Sequence, residues 1–307
     1  MNSSFLDDFK NAWSKPNNSL AQLIMINVIV FIILGVFYVF GKILGVEGVF
    51  NFIHDQFSIP PLFADFATRP WTLISYAFAH DLNSIFHILF NMLILYWFGQ
   101  LIVEYLGHQK IISLYVLGAL AGAAVYLMVY NLVPYYVERN GFNGMVGASA
   151  AVYAVTVAAA TLMPNYSFHL LFFGPVRIKY IAAFYIVISF LGSVGGNAGG
   201  NIAHLGGAAM GFLYIRQLQS GNDIGLWVIK TMTFFKSFFT PQSKIKVSHK
   251  AEKSSRTSRS SGSSSASSGA SSVDQDEIDS ILDKISKSGY ESLSKSEKQK
   301  LFNASKK

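Results

Sequence analysis

The chain has 307 residues, 51% of them hydrophobic and only 13% charged, against about 25% charged in an average soluble domain. Residues 1–240 carry 11 Lys or Arg and 9 Asp or Glu, whereas the last 67 carry 13 and 8, so the net charge of +7 divides into +2 and +5. A single soluble domain is excluded in favour of a membrane body with a basic, soluble appendage, and the lack of cysteine excludes a disulfide framework, a cysteine-ligated metal and a cysteine nucleophile.

Residues 1–19 read as a cytoplasmic N-terminal segment. No charge occurs from Pro16 to Gly41, longer than the roughly 7 to 15 apolar residues of a signal h-region, and Asp7 and Asp8 acidify its flank, so an uncleaved spanning helix is expected rather than a signal peptide. Crossing a hydrocarbon core takes about 20 apolar residues. Six apolar windows are found: Leu20–Leu44, Asn83–Val103, Ile111–Leu132, Ser149–Met163, Tyr180–Val194 and Asn201–Tyr214. They predict an all-α, polytopic membrane protein, a six-helix bundle over residues 20–218.

Lys10, Lys15, Lys110, Arg177, Lys179 and Arg216 flank one side of these windows, and only Lys42, Arg69 and Arg139 the other. The positive-inside rule therefore places both termini in the cytoplasm. The long loop Gly45–Leu82 is expected to lie partly in the interface. Residues 219–240, with Trp227, Phe234, Phe235, Phe238 and Phe239 beside Lys230 and Lys236, suit an amphipathic helix in the headgroup layer.

Residues 241–272 are expected to be a flexible linker, since 12 of the 19 residues from Ser254 to Ser272 are serine. In residues 273–307, Ile278, Ile281, Leu282 and Ile285 recur at helical spacing, Gly289 can stop that helix, and Ser294 with Glu297 forms a capping box for another. A small cytoplasmic helical hairpin is predicted. With so little core, it is expected to dock on a cytoplasmic partner or to be partly ordered.

Within the windows the costly residues are His87, Asn91, Ser149 and His204, since polar groups inside a bilayer are expensive. Alone, each has a plain structural explanation: a serine bonds its own helix, and a His or Asn bonds a neighbouring one. Their depth sets them apart. Windows two, four and six run in the same direction, with His87 and Asn91 on one face near the start of the second and His204 one turn into the sixth. The fourth, 15 residues long, spans about 22 Å against a core of about 30 Å, so Ser149 begins a short central helix below the outer surface.

Asn143-Gly-Met-Val-Gly-Ala, just before Ser149, is irregular, and such backbone is tolerated at depth only when buried in protein or lining a wet cavity. The helix start would point N–H groups at an anion formed beside Ser149. Ala150, Ala154 and Ala158 opposite Gly207 and Gly211 allow the close helix approach that a Ser–His hydrogen bond needs. No Asp or Glu occurs between Arg139 and Asn222, so a Ser–His dyad is expected rather than a three-residue triad. Tyr153, one turn on, could brace the imidazole.

These residues resemble the rhomboid family of intramembrane serine proteases. The resemblance rests on Gly147-Ala-Ser149-Ala150, Ala203-His204-Leu-Gly-Gly207 with Gly211, and His87-Ile-Leu-Phe-Asn91, supported by Arg69-Pro70-Trp71 leading to Phe78 and His80 and by Gly99, Glu104 and Gly107. It implies that Ser149 is the nucleophile, that His204 is the general base, and that His87, Asn91 and the Ser149 N–H hold the oxyanion, with Tyr153 stacked under the histidine. Ala150 stands where many members have glycine. The implied substrates are single-pass or membrane-anchored proteins cut near the outer membrane face, with the lipid bilayer as surroundings, no nucleic acid, and no metal or organic cofactor. The short tail resembles extensions of some bacterial members, which implies a bacterial inner membrane. The alternative is a catalytically inactive relative that binds membrane clients; a small-solute transporter would show midplane charge pairs and inverted repeats, which the sequence lacks.

Overall fold

The computed structural model describes residues 4–138, 144–170, 174–239, 275–288 and 292–304. Arg139, Asn143, Ser254–Ser272 and Gly289, each used above, lie outside the described residues. The chain divides into two compact units, 1–243 and 244–307.

The first unit opens with α1 (Phe5–Ser14), capped reciprocally by Ser4 and Asp7. Its end is tied to the start of α2 (Ser19–Leu44) by Asn18 Nδ2 donating to Ala12 O at 2.7 Å and Gln22 Nε2 to Trp13 O at 2.8 Å. The long connection that follows is built from α3 (Glu47–Asp55), α4 (Phe63–Thr68), α5 (Thr72–Ser75) and a 3₁₀ turn at Tyr76–Phe78. Arg69 binds it together, donating from Nη1 to the Asp55 carbonyl at 2.9 Å.

Gly107 alone separates α6 (Ile85–Leu106) from α7 (His108–Leu132), so the two run back on each other. After α8 (Pro134–Val137) come α9 (Ser149–Leu162), α10 (Ile178–Gly192), α11 (Ala198–Gln219) and α12 (Leu226–Phe239). Among the described residues three helices, α2, α6 and α7, are long and apolar enough to cross a membrane; α9 and α10 are shorter apolar helices. At 22 residues α11 is long enough, but Asn201, His204 and its run of glycines dilute its hydropathy.

The described residues are mostly helical, as expected, and add one short hairpin. β1 (Ser167–Leu170) pairs antiparallel with β2 (Gly174–Arg177) between α9 and α10. Pro164 and Pro175 prevent either helix from continuing through this stretch, and its backbone groups pair with each other instead.

The core centres on α9, where 10 of 14 residues are buried, which makes it the helix the others surround. Small residues set how close they come. A Cβ on Gly118 would stand 2.4 Å from the Ala154 methyl, and one on Gly122 2.5 Å from the Ala150 methyl. On α11, Cβ atoms at Gly207 and Gly211 would lie 2.0 and 2.1 Å from the Ala150 and Ala154 carbonyl oxygens. The α7, α9 and α11 backbones are therefore in direct contact. The extra methyl of Ala150 is accommodated because Gly122 has none.

Two clusters of polar side chains tie the helices together, while His80, His108 Nδ1 and Thr156 Oγ1 are buried without a hydrogen-bond partner. Asn27 donates to Leu23 O at 2.8 Å and lies 3.0 Å from Tyr115 Oη, which in turn donates to Ala77 O at 2.6 Å. Lys110 at the start of α7 pairs with Asp223, which also accepts from Tyr214 Oη at 3.2 Å, fixing the turn before α12. On α12, Val228 is buried and Trp227, Phe234, Phe235 and Phe238 are exposed.

In the second unit, α13 (Gln275–Ser288) and α14 (Lys295–Ala304) form the two tail helices. The Ser294–Glu297 box is present: Ser294 N donates to Glu297 Oε2 at 2.7 Å and Glu297 N to Ser294 Oγ at 3.3 Å. Ile281 and Leu293 are buried, whereas Leu282 is exposed.

Candidate active site

The start of α9 is held by the rest of the protein rather than by its own helix. Met145 and Ile59 exchange N–H···O bonds of 2.9 and 3.0 Å, and Gly147 N donates to Tyr76 O at 3.0 Å. The irregular backbone before Ser149 is thus satisfied by the first long connection, as its burial in an apolar bundle demands. Gly147 has φ +142°, and a Cβ there would lie 3.2 Å from His87 Nε2 and 3.4 Å from Ser149 Oγ. Only glycine serves both requirements.

The first intrahelical bond at this end is donated by Val152 to Ala148 O at 2.9 Å. The N–H groups of Ser149 and its next two residues precede it, at the positive end of the helix. Ser149 is only partly exposed.

His204, on the facing side of α11, places Nε2 2.7 Å from Ser149 Oγ. Tyr153 stacks on its ring, with centroids 4.2 Å apart and planes 13° apart. The Ser–His pair and the stacked tyrosine expected from the sequence are therefore brought together. The close α9–α11 approach at Gly207 and Gly211 makes the short contact possible.

His87 joins them through the cavity wall. Asp81 N donates to His87 Nδ1 at 3.3 Å. A backbone N–H can only donate, so Nδ1 is an acceptor and the proton of the neutral ring sits on Nε2, the nitrogen next to Gly147. His80 packs edge-on against this ring at 5.2 Å. Burial, and after it His87, push the His80 imidazole down to about 3, so an uncharged ring backs it.

Asn91 lies one turn further along α6, buried, with Nδ2 donating to His87 O at 2.8 Å. It steadies the turn that carries His87 and is not among the residues lining the cavity. That cavity, of about 820 Å³, is partly open and lined by Ser149 and His87 with His54, Asp81, Asn83 and Tyr126 among others. It has room for water and for an extended stretch of polypeptide.

Sequence reasoning missed one partner of His204. Ser189 Oγ on α10 lies 3.1 Å from His204 Nδ1 and donates to Tyr153 Oη at 2.9 Å. No sequence signal distinguishes it from any other serine in an apolar helix.

Residues 67–220 match the family model of the rhomboid domain, and residues 272–307 match a family of unknown function, DUF6576. Over 162 residues the chain is 33% identical to RHOMBOID-like protein 12, mitochondrial, of Arabidopsis thaliana, covering 50% of this chain and 48% of that protein. Over 160 residues it is 32% identical to Rhomboid protein 1, mitochondrial, of Saccharomyces cerevisiae, covering 49% and 42%. The chain spans less than half the length of these curated relatives. Both carry mitochondrial names, so they lend no support to a bacterial inner membrane.

Proposed function

The chain belongs to the rhomboid family, and from that premise we propose that it is an intramembrane serine endopeptidase acting through a Ser149–His204 dyad on membrane-anchored protein substrates. The observation that carries the proposal is the 2.7 Å contact between Ser149 Oγ and His204 Nε2 at the start of a buried helix, beside an open cavity.

In this reading His204 Nε2 takes the Ser149 proton as Oγ attacks the scissile carbonyl, then returns it to the leaving amine. The oxyanion receives the N–H groups at the start of α9 and the Nε2 proton of His87, with Asn91 assisting from the same face of α6. Water admitted through the cavity hydrolyses the acyl-enzyme. The substrate backbone must be extended at the point of attack, which favours helices that unwind readily. α2, α6, α7, α9, α10 and α11 are the six spans of this proposal, with both termini in the cytoplasm and the cavity opening toward the outer face. Reporter fusions at the amino terminus and at Ser261 test that topology; an external reading at either refutes it.

The chemistry is tested with a fluorophosphonate probe and a transmembrane substrate in liposomes. The probe is expected to label wild type and not Ser149→Ala, and cleavage to fall to background in both Ser149→Ala and His204→Ala. Substantial turnover remaining in Ser149→Ala would sink the assignment.

A further inference from the structure

We propose that Ser189 is a positioning residue for His204, holding the imidazole in its reactive tautomer through a relay from His204 Nδ1–H to the Ser189 hydroxyl and from there to the Tyr153 hydroxyl. The proposal rests on the protease reading of the same site.

The donor directions follow from the chemistry. For Nε2 to accept the Ser149 proton, the single proton of neutral imidazole must sit on Nδ1. Nδ1 then donates to the group 3.1 Å away, which is Ser189 Oγ. With its oxygen accepting, Ser189 directs its own proton to Tyr153 Oη at 2.9 Å. Tyr153 passes its proton to the Tyr185 carbonyl, 3.5 Å away. Each hydroxyl in this chain donates once and accepts once, and the chain ends on a backbone acceptor.

Ser189 has a cheaper way to satisfy itself and does not take it. In an apolar helix a serine hydroxyl ordinarily bonds the carbonyl four residues back, here Tyr185. That carbonyl is the one Tyr153 uses, while the partners of Ser189 lie on α9 and α11. On α10, only Ile178, Ala182 and Ser189 are buried, so its one buried polar side chain is aimed at the dyad. Just beyond it, Asn201 Nδ2 donates to Gly192 O at 3.0 Å. This ties the end of α10 to α11 within one turn of His204.

A hydroxyl can orient an imidazole but cannot neutralise imidazolium as a carboxylate does. The effect of losing it is therefore smaller than the roughly 10⁴-fold loss that follows when a triad aspartate becomes an asparagine. Losing one neutral hydrogen bond predicts a fall in kcat of about tenfold for Ser189→Ala.

The full-length protein in liposomes is compared with Ser189→Ala, Tyr153→Phe and the double variant, following kcat, KM, probe-labelling rate and thermal midpoint. For Ser189→Ala, kcat and the labelling rate are expected to fall about tenfold together, with KM within about twofold of wild type. Tyr153→Phe keeps the stacked ring and loses only the hydroxyl; its kcat is expected to fall about threefold, and the double variant to be no worse than Ser189→Ala, because both changes break one chain. A Ser189→Ala enzyme with unchanged kcat, or strictly additive losses in the double variant, would overturn the relay. If Ser189→Ala is too unstable to assay, Tyr153→Phe still decides, since an unchanged kcat there overturns it as well. A wild-type protein that neither cleaves nor takes the probe refutes the protease reading itself, and the role of Ser189 with it.

Discussion

His87 and Asn91 share a helix face but not a role. His87 lines the cavity and points its protonated nitrogen toward Gly147, whereas Asn91 gives an N–H to the His87 carbonyl. Removing an oxyanion donor typically lowers kcat by about 10² to 10³. We therefore expect His87→Ala to fall in that range, and Asn91→Ala to fall less, with KM unchanged in both; steady-state kinetics that reverse this order would make Asn91 the principal donor. The same residues show how far a sequence can be read. Ser149, His204, His87 and Asn91 could be singled out because polar groups in apolar windows are costly and the order of the windows predicts one depth for theirs. Ser189 was not legible, because its helix offers it a local acceptor and only the fold shows that Tyr153 occupies that acceptor. The Asp81 N–H that sets the His87 tautomer was hidden too, since backbone donors leave no trace in residue identity.

The apolar windows anticipated α2, α6, α7, α9, α10 and α11 to within a few residues at most ends, since apolarity marks their interiors while caps and glycines mark their limits. The windows could not show α1, which is too short and polar to stand out, or the hairpin after α9. Contact between helices was legible in part: Gly207 and Gly211 indicated a close approach, but not that the atoms facing them are backbone. A Cβ at Gly207 would meet the Ala150 carbonyl oxygen at 2.0 Å, so no side-chain rotation relieves it and α11 must move away from α9. Overpacking of this kind costs about 1 to 3 kcal/mol, and a misplacement of roughly 1 Å at the dyad costs about 10² in rate. Gly207→Ala is expected to lower both the thermal midpoint and the probe-labelling rate, while Gly35→Ala, where a Cβ meets nothing within 4 Å, leaves both unchanged; equal behaviour of the two would show that the close approach is dispensable. In the tail, the Glu297 carboxylate is pushed down to about 2 by the Ser294 backbone N–H and then by Lys284. A carboxylate lowered on folding stabilises fully above its ordinary value of 4.5 and ceases to do so as pH falls through about 2. The helical signal of a fragment covering 244–307 should therefore decline across that window by circular dichroism, and Glu297→Gln should flatten the decline.

On the scale of the whole chain, the separation into units 1–243 and 244–307 assigns the proposed chemistry to the first alone. The dyad, the stacked Tyr153, the relay through Ser189 and every residue lining the cavity lie between Tyr38 and His204. The rhomboid match ends at residue 220, and the second match, to a family of unknown function, begins at 272. For the tail to change the rate of chemistry, it would have to favour one of two states of the membrane unit by differential contact. What it does carry is a net charge of +5 over residues 241–307, which suits weak attraction to anionic lipid. Deleting residues 244–307 should accordingly leave kcat and KM for one substrate in detergent within about twofold of the full-length protein, because no group at the dyad or in the cavity is removed. Effects on substrate choice or abundance are expected to appear only in cells, where partners and anionic membranes are present. A tenfold fall in kcat for the purified truncated protein would show instead that the tail holds the membrane unit in its active state.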